Sequence, residues 1–322
     1  MITRKMSRRE AVGRAGLFFG AAVVGTKLVD TTMLASDASA PSSKRPFLFC
    51  LNTATLRGHK LGIVKEVEVA SKAGYDAVEP WIDSIQEYVK GGGSLSDLRK
   101  RISDLGLSVE GAIGFPEWIV DDDSRRAKGM DQAKREMEIV ASIGGKRFAC
   151  PPAGATDLPK LDMFKAAERY LELLNVSESI GPVPEFELWG FSKNFNHLSE
   201  CVAVALETGH PKACVLADVF HLYKGGSKIQ NLALLGPTAI QVLHMNDYPS
   251  DPPREKIDDS FRIYPGDGTA PLPQLLKHLH QTGGQKTLSL ELFNRKYWQE
   301  PPEQVAETGL AKMKAVAQVA MA

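Results

Sequence analysis

VLADVFHLYKGGSKIQNLALLGPTAIQVLHMND, residues Val215 to Asp247, is the stretch that decides how this chain folds. An apolar lead-in, Val215-Leu216-Ala217, ends on Asp218, with His221 three positions on and a Gly225-Gly226 turn after it. A second apolar run, Ile240-Gln241-Val242-Leu243, ends on His244, Asn246 and Asp247. Two further runs end the same way: Pro184-Glu185-Phe186 leads to Glu187, and Thr287-Leu288-Ser289-Leu290 leads to Glu291. A polar group that appears where a strand stops lies at the strand's carboxyl end, and in a parallel barrel that end is where chemistry is done. A single strand-end carboxylate is ordinarily a solvated residue or a helix cap. Three carboxylates and an imidazole at successive strand ends surround one point. Glu187, Asp218, His244 and Glu291 therefore predict an oxygen-rich site for one divalent cation, with a nitrogen ligand that shifts preference away from calcium. Mn²⁺ or Zn²⁺ is the first expectation, with Mg²⁺ and Co²⁺ as the other candidates.

Outward from this stretch, strand-like and helix-like segments alternate along the chain. Strands are expected at 47–51, 75–79, 107–113, 146–150, 184–188, 212–218, 239–245 and 286–291. Helices are expected at 61–73, 94–105, 123–143, 157–179, 196–208, 229–235, 272–281 and 302–319, from apolar residues at helical spacing and from stop signals such as Gly74 and Gly144-Gly145. Eight alternating units predict an α/β fold closed as a (β/α)8 TIM barrel. No glycine-rich loop follows the first strand, which disfavours an open nucleotide-binding sheet. The segment 246–268 is too long for a plain connector and is expected to cover a site.

Composition narrows the partners. The 39 basic and 39 acidic residues cancel, which argues against a nucleic-acid partner and leaves a small molecule. The four cysteines show no C-x-x-C spacing, so a thiolate zinc site is not expected, and Cys50, Cys150 and Cys214 read as packing residues. At the amino terminus, Arg8-Arg9 precedes a short apolar run from Ala15 to Gly25 and an Ala38-Ser39-Ala40 end. This predicts a twin-arginine signal peptide over 1–40, ahead of a single catalytic domain over 46–322. The mature protein would then begin near Pro41 and work outside the cytoplasm, with no stable membrane insertion after cleavage.

Taken together, several short stretches resemble the xylose-isomerase-like barrels, a group of sugar phosphate isomerases and epimerases, and within it the bacterial inosose isomerases. The stretches are Cys50-Leu51-Asn52, Phe186-Glu187-Leu188-Trp189-Gly190, Ala217-Asp218-Val219-Phe220-His221, His244-Met245-Asn246-Asp247, Arg262-Ile263-Tyr264-Pro265-Gly266 and Ser289-Leu290-Glu291-Leu292-Phe293. The resemblance implies that the metal ligands fall on Glu187, Asp218, His244 and Glu291, and that His221 and Arg262 face substrate oxygens. It also marks a departure. Ketohexose epimerases of the group carry a second glutamate six residues after the first ligand, and here that position is Lys193.

The expected reaction is isomerisation or epimerisation beside the ketone of a sugar or inosose. The cation would polarise the carbonyl. Glu187 and Glu291 would act as base and acid, with His221 and Arg262 helping to hold enediolate charge. Glu79, at the end of the second strand, is expected either at the substrate or in an ion pair, and Glu110 is a weaker candidate. Trp81, Phe115, Trp118 and Trp189 are candidate walls of a sugar pocket. His59, His197, His210, His278 and His280 are expected on the surface. Two competing readings are a sugar-binding barrel without catalysis and an endonuclease-IV-like metal-dependent hydrolase. The latter would want more strand-end histidines and a basic face.

Overall fold

The computed structural model describes residues 45–322, so the expected signal peptide lies outside the described residues. Eight strands run β1 Phe47–Asn52, β2 Ala77–Glu79, β3 Ser108–Val109, β4 Arg147–Cys150, β5 Val183–Glu187, β6 Val215–Asp218, β7 Val242–Met245 and β8 Lys286–Leu290. Between and after them lie α1 Ile63–Ala73, α2 Ile82–Lys90, α3 Leu95–Asp104, α4 Asp123–Ser142, α5 Met163–Glu178, α6 Leu198–Glu207, α7 Val219–Gly225, α8 Leu272–Gln281 and α9 Pro302–Met321. All paired strands are parallel, in the order β3-β2-β1-β8-β7-β6-β5-β4. The seam between β3 and β4 is closed by two backbone bonds, Lys146 N to Val109 O at 3.3 Å and Ala149 N to Ala112 O at 2.9 Å. The fold is the expected TIM barrel. No helix among the described residues is long and apolar enough to cross a membrane.

Local chemistry explains the boundaries. Ser94, Asp122 and Asp162 each cap a helix by accepting from the backbone N–H three residues on. The last of these shortens an expectation: α5 begins at Met163, after Pro159 and the Asp162 cap, rather than at 157. The third strand is also shorter than its apolar run suggests. Glu79 Oε1 lies 2.5 Å from where a side chain on residue 111 would begin, so a larger residue there would displace the buried Glu79 carboxylate, and regular pairing lapses until Ile113 bridges Trp81 and Ala149. Two helices had no counterpart in the expected set: α2, which buries only Ile82 and Ile85, and α7, which Asp218 caps.

Inside the barrel, inward side chains stack in layers. Ile113, Ala149, Leu216 and Val242 form a small apolar plug, separate from the large core between sheet and helices. Below it lies a charged cluster around two buried carboxyls, Glu110 and Glu185. Glu110 accepts from Lys146 Nζ at 2.5 Å and from Ser108 Oγ at 2.8 Å, and its other oxygen stands 3.5 Å from Arg147 Nη1. Arg147 Nε is 3.5 Å from Glu185 Oε1. Glu110 is thus a structural ion-pair residue. Above the plug come Asp218 and His244, two residues beyond Leu216 and Val242, together with Glu187 at the end of β5 and Glu291 just past β8.

Candidate metal centre and substrate cavity

Strand alternation delivers the upper layer. Leu216 faces the plug, so Asp218 faces the mouth; Val242 and His244 are related in the same way. Asp218 pairs with His244 across β6 and β7. The carboxylate of Asp218 is fully employed: Oδ1 accepts from His221 N at 2.8 Å, and Oδ2 accepts from Asn246 Nδ2 at 3.1 Å and Arg262 Nη1 at 2.6 Å. Glu291 accepts from Asn52 Nδ2 at 3.1 Å and from Arg262 Nη1 at 2.8 Å.

His244 is the centre of the cluster. Its Nδ1 stands 3.2 Å from Glu291 Oε2 and 3.7 Å from both Asp218 Oδ2 and Glu187 Oε1. Ligand atoms of Asp218, His244 and Glu291 all lie within 4.8 Å of one another, a spacing suited to one cation. Glu187 falls outside that close trio while still approaching His244. The structure therefore brings all four expected ligands together, three tightly and one at the edge.

Charge makes the case for a cation. Glu79, Glu187, Asp218 and Glu291 are buried around one permanent positive charge, Arg262, and the imidazole. Both ring nitrogens of His244 are buried and neither makes a well-directed hydrogen bond. In the protein alone, protons relieve part of the excess. Burial, together with Glu291 and Asp218, pushes the Glu187 carboxyl well above the carboxylate range against the pull of His244. The Glu291 carboxyl is driven up by burial, but His244 and Arg262 outweigh this and hold it down to about 2. A buried imidazole left without a directed partner among surplus carboxylates fits a divalent ion.

Glu79 does not line the cavity; of its two expected placements, at the substrate or in an ion pair, the structure shows the ion pair. Its Oε2 accepts from Ser289 Oγ at 2.6 Å and Asn52 Nδ2 at 3.0 Å, and stands 3.0 Å from His244 Nε2. It backs the imidazole from behind, the arrangement that orients metal-binding histidines. Asn52 ties this layer to the wall, because its Oδ1 accepts from Trp81 Nε1 at 2.9 Å.

A cavity of about 500 Å³ opens above the cluster, and Glu187, Glu291, His221 and Arg262 line its floor. His221 is buried, and burial lowers its affinity for a proton. Arg262 Nη2 lies 3.3 Å from His221 Nε2 and can only donate, which places the imidazole proton on Nδ1, an atom with no partner. The long 246–268 segment does cover the site. Asp247 accepts from the backbone N–H groups of Gly266, Gly268 and Ala270 and so folds the segment back. That fold delivers Arg262 to the floor and Asp258, Asp259 and Ser260 to the rim.

Of the four candidate walls, Trp81, Phe115 and Trp189 line the cavity. Trp118 does not: it is fully buried and donates to Pro151 O at 2.9 Å. Phe191, Phe293 and Trp298 are lining residues the sequence reading passed over, although Phe191 and Phe293 each lie two positions beyond a feature it had named, Trp189 and Glu291. Lys193 is exposed and 3.5 Å from Asp157, away from the cavity. Of the five histidines expected on the surface only His280 is exposed; His59 bonds the Leu56 and Glu300 carbonyls, and the ring nitrogens of His278 are buried. All four cysteines are free and buried.

The family model for the xylose isomerase-like TIM barrel matches residues 67–316. The inosose isomerase of Halalkalibacterium halodurans is 26% identical over 273 residues, 80% of this chain and 92% of that protein. The 3-dehydroshikimate dehydratase of Pseudomonas putida is 24% identical over 265 residues, 77% of this chain but 39% of the dehydratase. The crystal structure of the IolI protein with a bound zinc atom superposes with a TM-score of 0.77 at 23% identity, covering 84% of this chain and 98% of that one. With a match across most of the barrel and the same fold in that structure, this chain belongs to the xylose isomerase-like TIM barrel family.

Proposed function

We propose that this protein is a metal-dependent isomerase or epimerase that moves a proton beside the ketone of a sugar or keto-cyclitol. The observation that carries the reading is the surplus of buried carboxylates around His244 on the floor of an open cavity. The inosose isomerases at 26% identity supply the substrate class. Glu187, Asp218, His244 and Glu291 would hold the ion, Mn²⁺ or Zn²⁺ in the first instance. When bound, such an ion polarises a ketone as a Lewis acid.

The chain's own groups do the rest. Glu187 and Glu291 flank the floor, one taking the proton from the carbon beside the carbonyl and the other returning a proton to the adjoining position. Positioned proton transfer of this kind is worth about 10²–10⁴-fold. His221, with its proton on Nδ1, and the Arg262 guanidinium face the oxygens on which enediolate charge develops. The aromatic walls limit water around the reacting carbon. We further propose that the protein is exported through its Arg8-Arg9 leader and acts outside the cytoplasm. Recovery of an intact Met1 end from the cytosol of the native host would overturn that placement.

The test of function is metal analysis of purified protein, then a panel of inososes and ketoses in deuterated water with and without chelator. Deuterium should enter at the carbon beside the carbonyl, and chelation should stop it. Turnover with no exchange at long times would remove Glu187 and Glu291 as acid and base. Loss of water instead of isomerisation would align the chain with its dehydratase relative.

A further inference from the structure

The mouth of the cavity is ringed by side chains in unbroken contact. Ring centroids follow one another at 5.9 Å from Phe293 to Trp81, 5.1 Å to Phe115 and 5.9 Å to Trp189. The chain of contacts continues at 5.2 Å to Phe191 and 5.4 Å to His221. Arg262 closes the circle, 3.3 Å from His221 and 5.1 Å over the Phe293 ring. The collar thus draws on the segments after β2, β3, β5, β6, β7 and β8. Its aromatic arc stands above the polar floor, which His221 and Arg262 join to it, and its outermost rings, Phe115 and Phe191, are exposed.

Size and chemistry separate floor from collar. A cavity of about 150 Å³ accommodates one six-membered carbon ring, and this one measures about 500 Å³. A single polyhydroxylated ring engaging Glu187, Glu291, His221 and Arg262 leaves most of that space and most of the aromatic surface untouched. Exposed aromatic faces gathered at a cavity rim mark a place where something apolar is bound, and flat rings stack on such faces.

Resting on the sugar or cyclitol reading above, we propose that the substrate has two parts. A keto-sugar or keto-cyclitol head occupies the floor, and a second ring joined to it stacks against the Phe115, Trp189 and Phe191 arc of the collar. The shared chemistry is a flat ring face, supplied either by an aromatic aglycone or by the C–H face of a second sugar.

The test is binding, which needs no turnover. Metal-loaded protein is titrated calorimetrically with the 3-keto derivatives of methyl β-D-glucoside, phenyl β-D-glucoside and cellobiose (the last oxidised on its non-reducing ring), alongside an inosose. At least one of the two-ring ligands should bind tenfold or more tightly than the methyl glucoside; the phenyl and cellobiose arms tell an aromatic aglycone from a second sugar. Phe191→Ala and Phe115→Ala, each checked for an unchanged melting temperature, should shrink that ratio below about twofold. Equal affinity for one-ring and two-ring ligands, or a ratio that survives both substitutions, overturns the collar assignment. If the inosose binds while no glucoside does, the two-part substrate is wrong and the function above stands. If nothing binds, both fail.

Discussion

Glu185 and Glu187 lie two residues apart on β5, point into the same barrel interior and meet opposite surroundings. Glu185 belongs to the lower cluster, where two carboxylates, Glu110 and Glu185, face two cations, Lys146 and Arg147. Glu187 belongs to the upper one, where four carboxylates face one guanidinium and an imidazole. The lower cluster carries no surplus of negative charge: Glu110 has Lys146 and Arg147 beside it, and Glu185 holds a proton at neutral pH next to Arg147. The upper cluster needs something more, either protons or a cation. Carboxylates matched by neighbouring cations serve the fold, whereas a buried surplus of them predicts a ligand.

The largest effect expected from this contrast is on catalysis. Glu291→Gln keeps the shape of the side chain and removes the carboxylate that would move the proton. Turnover should fall by about 10²–10⁴-fold, with a much smaller change in substrate affinity, as for an interaction that acts in the transition state. Steady-state kinetics on the metal-loaded variant decide the point; normal turnover would end the assignment of Glu291 as acid or base. Asp218→Ala and His244→Ala should abolish metal binding outright, while His278→Ala, remote from the cluster, should bind a full equivalent.

The lower cluster should fail differently. Arg147→Met strips Glu110 and Glu185 of their shared partner and should destabilise the fold by about 3 kcal/mol. The measurement is a urea unfolding midpoint. Protein that remains folded should still bind its metal, and loss of metal affinity in step with stability would mean that the two clusters are one network.

The upper cluster was legible in the sequence because each ligand closes an apolar run, a signal that survives without any contact information. Glu187, Asp218, His244 and Glu291 could all be found that way, and so could the barrel that gathers them. The lower cluster was not. Glu110, Arg147 and Glu185 come from three strands with no shared spacing, and only the shear of the barrel brings them to one level. One clue did exist: Glu185 and Glu187, at a strand's period of two, must face the same side. The role of Glu79 was hidden for a similar reason, since its contacts to Asn52, Ser289 and His244 join four strands. The collar combined visible residues, Trp81, Phe115 and Trp189, with Phe191 and Phe293, which lie in loops where no periodicity speaks.

Glu79 gives the next effect in size. Glu79→Gln leaves the packing behind His244 in place but removes the charge facing Nε2. Metal affinity should weaken by about 10–100-fold, with little change in melting temperature of the metal-free protein. Competition with a chelator of known affinity measures it. An unchanged affinity would show that His244 is held by its packing alone.

The smallest effect is reserved for Glu185. Burial pushes its carboxyl up to about 8 against the pull of Arg147, so at neutral pH the side chain already carries its proton. Glutamine reproduces that neutral form in shape and charge, so Glu185→Gln should match the parent in stability to within about 1 kcal/mol below about pH 4.5, where the carboxyl is protonated folded and unfolded alike. The pH dependence follows from the direction of the shift. Because the folded-state value lies above the unfolded one, the carboxyl favours the folded state below about 4.5, and that contribution is lost as pH rises through about 8. The glutamine variant should lack this part of the slope, so that variant and parent diverge between pH 5 and pH 9 in the direction of a relatively more stable variant at high pH. Urea midpoints across that range test it. The same substitution made two residues on, Glu187→Gln, removes a ligand and should cost metal affinity instead. If Glu185→Gln also weakened metal binding, the difference between the two glutamates would be one of degree, and the division of the barrel interior into a structural layer and a binding layer would not hold.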